Sequence, residues 1–412
     1  MSNVAVIGGG ASGMVAAIAA ARAGARVTVL ERQDRVGKKL LATGNGRCNL
    51  TNLHCSPAAY PGADASFVTT VIDQFPVDKT RDSFAELGAL TVADEEGRVY
   101  PLTGQASTIL DVLRMELLQL GVDVRTGIAV QAVRAKGDGF AVAWPGGEIF
   151  ADRVVVAAGS LAAPHLGGSF GAVDLLVKAG HRAETPYPAL VPLRTSTGPG
   201  ARAKGVKVAG SLRLDIDGVA VRSEIGEVLF TEYGLSGIAI MQLSGHANRA
   251  LRDGHAVHVV LDLLPGWSVE QVGSLLEARL AACPDRVLAD AMIGLVHKRL
   301  IPEILREASI GEVTRAASTI TSVEQERIVG VLKAWSFTVS GSLSWSDAQV
   351  MAGGISTAEF SATTLESRRI PGLYAAGEVL DVAGDCGGHN LQWAWSSGFV
   401  AGRSAARATS AT

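Results

Sequence analysis

Three glycines, Gly8, Gly10 and Gly13, stand at the spacing that lets a polypeptide receive a phosphate on its backbone. Gly8 permits a tight turn, Gly10 omits a side chain where a pyrophosphate would approach, and Gly13 lets a helix lie close to a strand. Free N–H groups and the helix dipole favour an anion there. Ser12 and Arg32 join this candidate set. Glu31, eighteen residues past Gly13, is placed to accept from ribose hydroxyls. A second polar cluster is TGNGRCNLTN at residues 43–52. Its glycines and asparagines suit positive φ. Gly44 and Gly46 can bring backbone N–H groups to a ring or phosphate; Asn45, Arg47 and Asn49 offer donors, and Thr43 and Cys48 complete the segment. On composition alone a surface loop reads as well.

These groups need a scaffold. Asn3–Ile7 is apolar and β-branched, hence a buried parallel strand. Met14 to Ala23 reads as a helix and Arg26–Leu30 as a second strand ending at Glu31. Strand, glycines, helix, strand and acid together form a dinucleotide-binding βαβ unit. Asp152 to Ala158 gives another buried strand running into Gly159. Near the C-terminus, Leu373 to Ala376 is a strand with the polar exit Gly377-Glu378. Gly387 and Gly388 then lead to a helix expected from Asn390–Leu391 to past Ala401.

The segments GGGASG, Gly37-Lys-Lys39, TGNGRCNLTN, RVYPLTGQAS (98–107), LFTEYGLSGIAIMQLS (229–244) and GLYAAGEVLDVAGDCGGHNLQWAWSSG together resemble the YhiN/HI0933 flavoproteins, the BaiN/RdsA family of FAD-dependent oxidoreductases. The resemblance implies an α/β fold, a glutathione-reductase-type Rossmann FAD-binding domain that is discontinuous and carries an inserted β-rich plus helical domain. It implies that Glu378 holds a ribityl hydroxyl of FAD. Residues 43–52 would wrap the flavin side, and the last helix would aim its N-terminus at the flavin pyrimidine edge. Val130, in an expected strand Gly127–Val130, would contact adenine through its backbone. Lys38 or Lys39 would screen phosphate charge, the alternative for either being a solvated loop lysine. Cys48 lacks a partner at disulfide-reductase spacing and is read as a packing residue. The chain departs from the family at Glu232-Tyr233, where Thr-His is usual, and at His389, where tyrosine is usual.

Composition sets the outer limits. The chain has 412 residues, 48% hydrophobic and 19% charged, with net charge −3. That excludes a disordered chain and offers no basic stripe for nucleic acid. Four cysteines show no C-x-x-C and no metal-ligand spacing, so reduced thiols in the cytoplasm are expected. The uncharged run Val4–Ala21 is broken by glycines and reads as strand, turn and helix, not a membrane span.

The expected organisation is an FAD domain from 1–187 and 346–412 around an insertion at 188–345. The 1–187 segment holds helices near 66–88 and 105–120 and a hairpin-rich stretch at 122–150. The insertion divides into β runs at 188–265, helices at 266–334 (Val269–Ala281 and Ile320–Leu332), and a returning strand at 335–345. A short Ala/Ser tail is expected to fray. The expected chemistry is two-electron redox on a small organic molecule, with C=C reduction by NAD(P)H as the leading form. An oxidase of a small amine or alcohol using oxygen, and an RNA-modifying or non-catalytic FAD-binding protein, are the alternatives. There is no second G-x-G-x-x-G unit for a nicotinamide domain. His389 and Tyr233 are candidate proton donors, with Tyr100 behind them; the alternative for His389 is a satisfied helix-entry histidine with no catalytic part. A monomer or homodimer, with no membrane and no nucleic-acid partner, completes the expectation.

Overall fold

The computed structural model describes residues 2–312 and 314–407; the tail expected to fray, 408–412, lies outside them. The chain forms two compact units, one running to Tyr187 and resuming at Gln349, the other spanning Pro188–Ala348.

The first unit is a glutathione-reductase-type α/β fold built on a five-stranded parallel sheet. Its order is Leu373–Ala375, Arg153–Val156, Asn3–Ile7, Arg26–Leu30, Asp123–Arg125. The three central strands are short, apolar and β-branched at their centre, as strands covered on both faces must be, while the edge strand Asp123–Arg125 is exposed. Val155 pairs with Val6 on one side and with Tyr374 on the other, so both chain ends share one ladder.

The helix after the first strand is Ala11–Arg22, beginning three residues before Met14. Gly10 is extended there and takes the N-cap position, so Ala11, Ser12 and Gly13 already lie in the helix. The C-terminal helix His389–Arg407 packs against it. A Cβ on Gly398 would fall 2.4 Å from the Ser12 carbonyl oxygen, and one on Gly402 would fall 2.0 Å from that of Ala16. Two glycines one turn apart thus let the helices meet backbone to backbone.

The stretch near 66–88 holds two helices, Ala65–Ile72 and Val77–Glu86, parted at Pro76. Proline fixes the chain at the second helix's N-cap and cannot continue the first. Ala106–Gln119 is the next helix. Residues 132–151 form a three-stranded antiparallel sheet. Gly127–Val130, expected as a strand, is an irregular loop. Gly127 and Ile128 donate singly to Gln33 and Glu31 carbonyls, at 2.9 and 2.8 Å, and no ladder follows.

The second unit is a closed six-stranded barrel with helices. Its long hairpin joins Lys207–Ile216 to Val219–Phe230, and Trp335–Ser342 returns to complete it. The reading of 188–265 as β runs and turns missed the helix Ile238–Arg252. Its Ala239, Ile240, Leu243, Ala247 and Ala250 are buried at helical spacing, and that tertiary burial overrides the β-branched start of the segment. Capping boxes at Ser268/Gln271 and Thr321/Glu324 start Val269–Ala282 and Ser322–Ala334. No helix among the described residues is long and apolar enough to cross a membrane.

Gly402→Leu should lower stability by about 2–3 kcal/mol, because the backbone contact leaves no room for a side chain. Gly330→Ala, in the helix Ser322–Ala334 where a Cβ meets nothing within 4 Å, should raise it by about 0.5–1 kcal/mol. Urea midpoints of the two variants check both signs.

Candidate dinucleotide and active site

The glycine turn is built from three different constraints. Gly8 has φ +104°, and a Cβ there would lie 2.5 Å from the Ala158 Cα. A Cβ on Gly13 would lie 1.9 Å from the Gly8 carbonyl oxygen. A Cβ on Gly10 would meet no heavy atom within 4 Å, so this face of the turn is open to an approaching group. The helix that follows has no side-chain cap and no acid in its first turn, which leaves its amides and its positive dipole end to serve an anion. These features fit a dinucleotide diphosphate.

Glu31 ends the second strand and holds the turn from below. Its carboxylate accepts from the Gly9 N–H at 2.6 Å and from the Gln33 N–H at 2.7 Å. Arg32 points elsewhere, donating to the Gly167 carbonyl at 2.7 Å. Ser12 is buried against Gly377, where a Cβ would lie 2.4 Å from its Oγ. Gly159 has φ +71° and open space beside it. Val130 is half-buried in its loop.

The stretch 43–52 divides into two halves. Gly44, Asn45 and Gly46 are consecutive left-handed residues at φ 56°, 55° and 83°. Asn45, Gly46 and Arg47 are exposed, and the Arg47 guanidinium lies 4.2 Å above the Tyr100 ring. The second half is tied to the C-terminal helix. Trp395 Nε1 donates to the Leu50 carbonyl at 2.8 Å, and Thr51 Oγ1 donates to Gln392 Oε1 at 2.5 Å. Asn52 Nδ2 donates to the Gly387 carbonyl at 2.9 Å. The Asn49 amide, oriented to satisfy both its ends, donates to the Thr51 carbonyl and accepts from the Gly388 N–H, each at 3.2 Å. A Cβ on Gly388 would sit 2.4 Å from the Thr51 carbonyl oxygen, so only glycine allows this approach. One half of the segment therefore fixes the start of the last helix while the other stays open to a ligand.

Lys39 and Glu378, from opposite ends of the chain, meet at 2.8 Å. Glu378 also accepts from the Met351 N–H at 2.9 Å. Both side chains are partly exposed, so the pair contributes at most about 1 kcal/mol and is free to exchange partners. Gly377 is clamped by Ser397 Oγ at 2.9 Å and by Trp393 Nε1 at 3.1 Å. Asn390 folds back on Gly384, accepting from its N–H at 2.8 Å and donating to its carbonyl at 2.7 Å. Leu391 follows it, half-buried in the first turn.

Burial decides the ionisable groups. The Cys48 thiol is fully enclosed and pushed up to about 12. His389 is 8% exposed, and burial lowers its imidazole below the usual histidine range. Its neutral form therefore dominates at pH 7. Tyr233 belongs to the second unit, with the Arg194 guanidinium 6.0 Å from its ring centre. Sequence reading missed Tyr60, whose hydroxyl donates to the His389 carbonyl at 2.8 Å, and Gln392, which bonds Thr51, Thr80 and the Phe75 carbonyl. A glutamine and paired serines on one face of an apolar helix were the signal for the latter. Among the described residues no cluster could hold a metal ion.

The family description "HI0933-like protein Rossmann domain" matches residues 2–404. A 3-dehydro-bile acid delta(4,6)-reductase of Clostridium scindens is 39% identical over 408 residues, 98% of this chain and 99% of that protein. A ribosomal RNA dihydrouridine synthase of Escherichia coli is 30% identical over 405 residues, 96% of each. The structure of 3-ketosteroid delta1-dehydrogenase from Sterolibacterium denitrificans aligns with TM-score 0.53 at 15% identity, covering 98% of this chain and 100% of that one. At that identity the likeness is one of fold.

Gly10→Ala should leave the stability of the cofactor-free protein unchanged and weaken FAD binding about tenfold or more, about 1.4 kcal/mol, because its methyl enters the phosphate approach. Fluorescence titration with FAD, set beside thermal melts, separates the two effects. Cys48 should resist a thiol reagent at pH 8 in the native protein, since its thiol stays protonated until far higher pH. Mass mapping of the labelled cysteines checks this.

Proposed function

This chain belongs to the HI0933-like Rossmann family and is an oxidoreductase with an FAD-type fold, and on that premise we propose that it saturates a carbon–carbon double bond of a small organic substrate with NAD(P)H as the electron source. The observation that carries the proposal is the open, uncapped start of Ala11–Arg22 in the same unit as the Gly387-Gly388 entry to the last helix. Bound FAD supplies the two-electron chemistry there. The Gly8–Gly13 turn holds its diphosphate, Glu31 accepts from ribose, and Lys39 and Glu378 exchange their mutual contact for phosphate and ribityl contacts. The start of the last helix favours negative charge at the pyrimidine edge.

The two curated relatives converge on one bond type. A delta(4,6)-reductase acting on a 3-dehydro compound and an enzyme making dihydrouridine both saturate a C=C conjugated with a carbonyl. Such a reduction adds hydride at one carbon and a proton at the other, and His389 is the group we place in the proton's path. The nicotinamide docks transiently. A flat, apolar enone is the favoured substrate class, because the more similar relative bears the bile-acid name. We place the reaction in the cytoplasm, on a monomer or homodimer.

The second reading, reduction of a base in RNA, rests on the 30% identical relative. The net charge of −3 opposes it, since polyanion binding draws on excess positive charge. Anaerobic mixing of FAD-loaded protein with NADH and NADPH should bleach the flavin, and a conjugated enone should restore its colour. Bleaching only by an amine or alcohol, with reoxidation by oxygen, would transfer the assignment to an oxidase. Dihydrouridine appearing in co-incubated ribosomal RNA, read by mass spectrometry, would establish the RNA reading.

A further inference from the structure

His389 stands at the first position of the 19-residue C-terminal helix, where the helix dipole and open amides meet whatever lies before Gly387-Gly388. The side chain is 8% exposed, and Nδ1 is enclosed with no hydrogen-bond partner. A buried nitrogen without a partner is tolerated better as a bare lone pair than as an N–H, so the ring carries its proton on Nε2. The Nε2 edge faces Gly387, 3.8 Å from the position a Cβ would take there. Tyr60 meets the ring edge-on at 6.2 Å, and its hydroxyl is spent on the His389 carbonyl and the Cys55 thiol. Nδ1 is therefore a base with no donor competing for its lone pair.

Resting on the FAD reading above, we propose that His389 takes up a proton when the bound flavin receives two electrons, so that reduction of this protein consumes one proton more than the flavin itself binds. The balance is simple. Oxidised flavin, two electrons and one proton give anionic reduced flavin; neutral His389 and one further proton give imidazolium; NAD(P)H or dithionite supplies the electrons.

Every group facing the ring has a defined sign. Without a bound cofactor, burial, the helix dipole and His54 oppose an imidazolium, and Asp385 favours it. Tyr60 and Cys55 stay neutral, since burial pushes both upward. Negative charge gained at the pyrimidine edge joins Asp385 and reverses that balance. The imidazolium then stabilises the reduced cofactor. A tyrosine here, as in the family pattern, would leave that charge to the helix alone.

The test is a potentiometric titration of FAD-loaded protein with dithionite between pH 6 and 8, beside His389→Phe and His389→Gln. The wild-type protein should bind one proton per two electrons more than either variant, read from the pH dependence of the midpoint potential. Equal counts in all three overturn the proposal while leaving flavin binding intact. A wild-type protein that binds no FAD overturns this proposal and the function above together. Should neither variant load flavin, ¹⁵N-histidine NMR of the wild type decides. The His389 ring signals must move from the Nε2–H neutral pattern to the doubly protonated one on reduction, and unchanged signals refute it.

Discussion

Two helices from opposite ends of the chain touch backbone to backbone, and the candidate site depends on that contact. The Ser12 and Ala16 carbonyl oxygens lie where any side chain on Gly398 or Gly402 would have to go. Close packing here sets the depth of the last helix against the first. It also brings Gly377 against Ser12, so the exit of the C-terminal strand is fixed by the same few atoms. The starts of the two helices are thereby carried on one rigid pair. Neither has an acidic residue in its first turn. Their positive ends are left for a ligand's negative charge instead of being neutralised within the protein.

How much of this was legible in the sequence follows from the range of the interactions. The order of the βαβ unit could be read because its strand, turn and helix are contiguous and each residue's reason is local. The helix start shifted by three residues because an extended glycine can cap where apolar periodicity gives no sign. The role of 43–52 was only half legible. Composition announced a backbone of positive φ, which Gly44, Asn45 and Gly46 adopt. It could not announce that Thr51 would bond Gln392, 341 residues away. Gly127–Val130 and Ile238–Arg252 went wrong for a related reason. Partners far along the chain decided whether an apolar stretch joined a ladder or coiled into the barrel's core.

The second half of 43–52 is buried and bonded, and the first half is exposed on a left-handed backbone. A uniformly flexible loop would have gained adaptability at the cost of ordering entropy on binding. A uniformly buried one would present no donors. Dividing the segment keeps the ordering cost within the folded protein while Gly44–Arg47 remain available. Arg47 is steadied by the Tyr100 face, which fixes a guanidinium without neutralising it.

The charged and thiol groups obey the same division. Cys48 is sealed and burial holds its thiol near 12, so it packs beside the loop as a neutral group. Lys39 and Glu378 remain partly exposed and mutually paired. Little is lost when two such partly exposed groups separate. His389 is the exception, a titratable side chain sealed at a helix start with one nitrogen unpartnered. Packing alone would be served by an aromatic ring without that nitrogen. A nitrogen left bare at the start of the last helix is a polar atom that packing by itself does not require.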